Sequence, residues 1–164
     1  MTTTRSRNCR RASVAEKTQS DNVVELRARA LRLLARREHT RQELESKLLP
    51  HAGSSEELKG LLAGLKQKNQ QSEERFAEAR ARQLSRKFGA ARIRQDLKAK
   101  GVSEELIERV SPADEFERAR AILDRKYREP AATREERAKR MRFLQSRGFS
   151  SEIIFKLLSA RGTA

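Results

Sequence analysis

The chain has 164 residues and a formal net charge of +15, from 38 Lys and Arg against 23 Asp and Glu. No apolar run approaches the roughly 18 residues of a membrane-spanning helix, the polar amino terminus lacks the apolar core of a secretion signal, and the lone cysteine, Cys9, makes no internal disulfide. Aromatic residues make up 4% and Trp is absent, with only seven Gly and three Pro, which disfavours a β-sandwich or barrel and predicts an all-α chain. The expectation is a cytoplasmic, monomeric protein whose partner is polyanionic or acid-faced, with no membrane contact.

Residues 1–22 are polar, show no apolar period and carry a net +3, so they read as a disordered basic tail that leaves +12 on the folded part. In residues 23–70, Val23, Leu26, Ala30, Leu33 and Leu34 follow helical spacing, predicting a helix that ends near Glu38. Thr40 and Glu43 form a capping box that opens a short helix stopped by Pro50; Leu58, Leu61, Leu62 and Leu65 mark a third, ending in "KQKNQQ".

In residues 71–111, Ser72 is placed to cap a helix carrying Phe76, Ala77 and Leu84, which runs into Phe88 and breaks at Gly89. A short helix with Ile93 and Leu97 stops at Gly101, and Glu104 to Val110 forms another, ended before Pro112. In residues 112–164, Phe116, Ala119, Leu123 and Tyr127 mark a helix closed around Pro130. Ala138, Met141 and Leu144 mark the next, and Ile153, Ile154, Leu157 and Leu158 the last.

A recurrent signal separates these helices. "GVSEEL" at Gly101 returns as "GFSSEI" at Gly148 and, more faintly, as "GSSEEL" at Gly53. Each reads as a left-handed helix stop at Gly, a Ser cap two residues on, and carboxylates in the first turn of the next helix. Val102 with Ile107, and Phe149 with Ile154, take hydrophobic-staple positions around their caps. "RQEL" at Arg41 and "RQDL" at Arg94 extend the likeness to the preceding helix. The spacing predicts a tandem array of three three-helix repeats, each too small to be stable alone.

No phosphate-cradling glycine loop, dinucleotide fingerprint, zincin helix or cysteine pair occurs, so the chain offers no catalytic or cofactor site and reads as a non-enzyme. His39 and His51 fall at helix ends, where a solvated or capping role is expected. The chemistry lies in charge. Arg80, Arg82, Arg86, Lys87, Arg92, Arg94, Lys98 and Lys100 face a single acid within their run, Asp96, and nothing local neutralises them. Arg137, Lys139, Arg140, Arg142 and Arg147 form a second run at the corresponding place in the third repeat. Neither run holds an Asn, and each holds only one aromatic residue, Phe88 and Phe143, so phosphate contact or an acidic protein groove is expected rather than base readout.

"ALRLLARREHTRQELESKL" at Ala30, "RFAEARARQLSRKFGAARIRQDLKAKGVSEELI" at Arg75 and "KRMRFLQSRGFSSEIIFKLL" at Lys139 resemble, in order, the three segments of the RecX regulatory proteins. The resemblance covers residues 25–160. It implies an elongated, curved molecule lying in the groove of the RecA recombinase filament on single- or double-stranded DNA. It also implies modulation of recombinase and ATPase activity, and with it of recombination, DNA repair and the SOS response. The residues expected to make that contact are Arg82, Arg86, Lys87, Arg92, Arg94, Lys98 and Lys100, with Arg137, Arg140, Arg142 and Arg147. One departure stands out: the family's "G-[YL]-L-[DN]-D" turn is replaced by "KNQQSEERF", predicting a looser joint between the first two repeats. An independent DNA-binding protein of helix-turn-helix character is the alternative, and a scaffold whose charge serves solubility is a third.

Overall fold

The apolar stripes of the sequence become nine α-helices, without a strand, among the residues that the computed structural model describes, 22–129 and 131–160. The expected tail, with Cys9, lies outside the described residues except for Asn22, which is already helical. The helices are α1 (22–36), α2 (Arg41–Leu48), α3 (Ser55–Gln67), α4 (Glu73–Ser85), α5 (Ala90–Ala99), α6 (Glu104–Val110), α7 (Glu115–Lys126), α8 (Arg134–Ser146) and α9 (Ser151–Ala160). The fold is all-α and built of three-helix repeats.

Three of the caps read from the sequence form: Thr40 Oγ1 accepts from Glu43 N, Ser103 Oγ from Leu106 N and Ser150 Oγ from Ile153 N, each satisfying an amide left over at a helix start. In the Gly53 copy the cap is Ser54, whose Oγ accepts from Glu57 N, and not Ser55, the serine two residues after the glycine. Gly101 and Gly148 are left-handed, at φ 78° and 80°. Val102 N donates to Leu97 O and Gly101 N to Lys98 O; Phe149 N and Gly148 N repeat the pattern on Leu144 O and Gln145 O. This paired closure ends α5 and α8 identically, and only a residue without a Cβ adopts it freely.

The expected third copy at Gly53 is different. Gly53 is not left-handed, because α2 runs into a 3₁₀ turn, Leu49–His51, around Pro50, and Gly53 N is held instead by Glu57 Oε2 at 3.1 Å. The left-handed closure of the first repeat sits after α3, at Asn69 with φ 53°, where Gln70 N and Asn69 N bond Leu65 O and Lys66 O. Two boundaries also shift: α4 stops at Ser85 rather than running to Phe88, and Tyr127 lies beyond α7 with extended backbone.

Two compact bodies result, one ending at Glu73 and the other beginning at Glu74. The first buries Leu26, Ala30, Leu44, Leu48, Leu58, Leu62 and Leu65 between α1, α2 and α3. The second holds two clusters. One gathers Phe76, Ala77, Ile93, Leu97, Val102 and Ile107 from α4–α6, and the other Ala119, Leu123, Leu144, Phe149, Ile154 and Leu157 from α7–α9. Both staples are thus buried in their cores.

Candidate functional site

The turn between α4 and α5 is the place where the two clusters of the second body are tied together. Gly89 N donates to Arg147 O at 2.9 Å and Ala91 N to Gly148 O at 3.2 Å, so this turn and the turn after α8 share a short backbone ladder. Gly89 opens α5 with no side chain to cap it, and Glu115 of α7 supplies the acceptor, its Oε1 lying 2.8 Å from Ala90 N. Arg118 crosses from the same helix and donates to Phe88 O, Ala113 O and Pro112 O. Burial lowers the Arg118 pKa, partly offset by Glu115 and Asp114. Neither Glu115 nor Arg118 is marked by the sequence, since each bonds backbone about 25–30 residues away.

The first basic run lies around this seam. Arg82, Arg86, Lys87, Arg92, Arg94 and Lys98 are exposed and Lys100 is half-buried. Arg82, Arg86 and Lys87 have no ion pair among the described residues. Local neutralisation is greater than the sequence suggests. Asp96 binds Arg80 through both oxygens at 2.8 Å, and Glu104 lies 3.3 Å from Lys98 Nζ and 4.0 Å from Arg94 Nε. The Gly101 turn brings the start of α6 back over the end of α5, which counting along the run does not reveal. Arg92 rests over Phe88, 5.9 Å from the ring centre.

The second run divides. Arg137 and Arg142 are exposed. Arg147 is half-buried, stacked 4.5 Å from the Phe143 ring centre and donating to Lys87 O at 2.9 Å. Arg140, expected on the outer face, is 6% exposed and sits 4.9 Å from the Tyr127 ring centre. It belongs to the packing of the third repeat, because the face of α8 that meets Tyr127 turns inward. The sign was its place four residues before Leu144, on the apolar face of the helix, which reading the run by charge alone passes over.

The first body departs from expectation at His39, which is buried at 3% exposure rather than solvated. Its Nδ1 lies 2.9 Å from Arg37 O and therefore carries the proton and donates. Burial holds its pKa below the ordinary histidine value. The part of the atypical "KNQQSEERF" stretch that belongs to this body, up to Glu73, is closely tied within it. Gln71, 4% exposed, donates through Nε2 to His39 O at 3.2 Å, and Glu73 Oε1 accepts from Arg41 N at 2.8 Å, at the start of α2.

Among the described residues, no group of three or more His, Cys, Asp or Glu could hold a metal ion, and no helix is long and apolar enough to cross a membrane. Comparison with known proteins agrees with the fold. Residues 72–110 match the family described as "RecX, second three-helix domain" and residues 113–158 "RecX, third three-helix domain". The regulatory protein RecX of Ralstonia pickettii (strain 12J) is 39% identical over 137 residues, covering 82% of this chain and 86% of that protein. Its namesake from Neisseria meningitidis serogroup B (strain MC58) is 42% identical over 131 residues, covering 79% and 86%. The crystal structure of RecX from Lactobacillus salivarius superposes with a TM-score of 0.76 at 20% identity, over 88% of this chain and 99% of that one, a likeness of fold alone. With both of its later repeats matched and relatives near 40% identity over 86% of their length, this chain belongs to the RecX family of regulatory proteins.

Proposed function

We propose that this protein binds the filament formed by the RecA recombinase on DNA and lowers its recombination and ATPase activity, acting by contact and not by catalysis. The observation that carries the reading is the exposed, unpaired cationic surface of Arg82, Arg86 and Lys87, continued by Arg92, on a chain of a regulatory family. Such a surface is attracted to phosphate and to acidic protein grooves, and its self-repulsion is relieved by either.

The test is DNA-dependent ATP hydrolysis by the host recombinase, with and without the protein. A fall in rate at protein concentrations well below those of the recombinase supports the reading. Unchanged hydrolysis together with tight binding to bare DNA would favour an independent DNA-binding protein instead. Charge reversal of Arg86, Arg92 and Arg94 to Glu is expected to weaken filament binding far more than removal of residues 1–20. Binding should also fall steeply with salt.

A further inference from the structure

We propose that a cleft at the seam of the second body holds consecutive phosphates of an unpaired nucleic-acid strand. This deepens the reading of a regulator that works on a DNA-bearing filament and rests on it. The cleft has a volume of about 290 Å³, and five cations line it: Arg86, Lys87, Arg125, Lys126 and Arg147. The remaining lining residues are Ile122 and Phe143, so no acid lies in the wall.

The cations come from three places in the chain. Arg86 and Lys87 follow α4, Arg125 and Lys126 close α7, and Arg147 follows α8. Three helix C-termini therefore point their carbonyl ends toward this region, and a bland account would have the cations merely offsetting them. Each helix end carries about half a negative charge, roughly −1.5 in all, against five positive charges. About +3.5 is left over, enough for more than one phosphate.

Part of the wall is set in place before any ligand arrives. Arg147 is fixed by its bond to Lys87 O at 2.9 Å and by the Phe143 ring, which Lys126 Nζ also approaches to 4.3 Å from the centre. Holding these two cations in advance reduces the ordering cost of binding. Arg86 and Arg125 are exposed and have no partner among the described residues, so they are free to close on an anion.

The apolar floor of Ile122 and Phe143 decides between ligands. A phosphodiester strand alternates charged groups with sugar and base rings, which suits a cationic rim over an apolar floor. A run of carboxylates uses the rim alone. A duplex carries its phosphates on a convex surface, which a concave cleft of this size does not admit.

The test follows a labelled oligothymidylate of about twelve residues by fluorescence anisotropy, a length within the range that single-strand sites cover. Full-length wild type is compared with Arg86→Glu/Arg125→Glu and with Arg32→Glu/Arg36→Glu, an equal charge change on exposed residues of α1. The cleft variant should bind about tenfold more weakly, with the salt slope of log affinity smaller by about 1.4 for two lost strand contacts, while the control changes less than about threefold. Arg86→Gln/Arg125→Gln, with helicity checked by circular dichroism, repeats the comparison should the Glu pair disturb folding. Equal loss in both charge variants would overturn the proposal. So would a poly-glutamate peptide, or inorganic triphosphate, that competes as well as unlabelled oligothymidylate. Recombinase ATPase measured alongside separates the two readings. A cleft variant that keeps strand binding but loses its effect on hydrolysis overturns the cleft and leaves the regulator. Wild type with no effect on hydrolysis, but with strand binding abolished by the cleft variant, does the reverse.

Discussion

Gly89 and Gly148 meet backbone to backbone: a Cβ on Gly89 would stand 2.3 Å from Gly148 O, and one on Gly148 would stand 2.7 Å from Arg92 N. Both partners are main chain, so neither clash is relieved by a side-chain rotation. Gly89→Ala is expected to pry open the ladder between the α4–α5 turn and the α8–α9 turn, costing roughly 1–3 kcal/mol as overpacking does. Gly148→Ala adds strain at φ 80°, about 1 kcal/mol more. Gly60, inside α3 with nothing near its Cβ position, behaves oppositely: Gly60→Ala should stabilise by about 0.5–1 kcal/mol. Thermal melts of the three variants check this, and a Gly89→Ala protein that melts like wild type would show that the seam yields freely.

Arg140 is the one expected surface cation that faces inward, and its Nε has no hydrogen-bond partner among the described residues. A buried cation that is not fully bonded contributes little, and an apolar side chain of similar length replaces it well. Arg140→Met should melt within about 1 kcal/mol of wild type and bind the filament unchanged. Arg140→Glu should lose about 3 kcal/mol, because it buries a charge over the electron-rich face of Tyr127. If Arg140→Met weakened filament binding without a change in melting, Arg140 would belong to the contact surface after all.

What the sequence made legible was local. Helix starts at Thr40, Ser103 and Ser150, and the stops at Gly101 and Gly148, depend on residues within one turn of one another, so spacing suffices to find them. The miss at Gly53 has a local cause as well: Pro50 diverts the chain into a 3₁₀ turn before a left-handed stop is needed, and Asn69 then takes that conformation at the next helix end. The seam was invisible for a different reason. Gly89, Glu115, Arg118 and Arg147 act on main-chain atoms 25 to 60 residues away, and no periodicity records which carbonyl a guanidinium will reach. Arg140 and Arg142 differ for a local reason: two residues apart on one helix they take opposite faces, and only Arg140, four residues before Leu144, shares the buried one.

Asp96 gives the second body an acid-sensitive element. Its hydrogen bonds from Arg80 are the main cause that holds its pKa below the ordinary carboxylate value of 3.8, with burial working against them. A depressed folded pKa means that the unfolded chain takes up the proton first. The stabilisation is therefore complete above the ordinary value and disappears as pH falls through the folded one. Asp96→Asn should cost about 1 kcal/mol at pH 7, in line with a partly exposed pair, and the gap to wild type should narrow as pH drops below about 4. Melts across that range decide it. A gap that stays constant with pH would mean that the carboxylate charge adds nothing.

The repeats of the second body should not be separable. Five hydrogen bonds from the 87–91 stretch reach residues beyond 111: Gly89 N to Arg147 O, Ala91 N to Gly148 O, Ala90 N to Glu115 Oε1, and the Arg118 and Arg147 guanidiniums to Phe88 O and Lys87 O. A fragment of residues 72–111 loses all five, each worth about 1 kcal/mol, and leaves the start of α5 without its acceptor. Its own core is small, with Phe76, Ile93, Leu97, Val102, Leu106 and Ile107 as its large buried side chains, and domains of this size seldom stand without a staple. Residues 74–164 keep both clusters and the whole seam. Circular dichroism should show the short fragment largely unfolded at 25 °C, while the longer one melts cooperatively near the temperature of the full chain. A short fragment with a cooperative melt of its own would reduce the seam to a contact between independently stable repeats, and Gly89→Ala would then be expected to cost the full chain almost nothing.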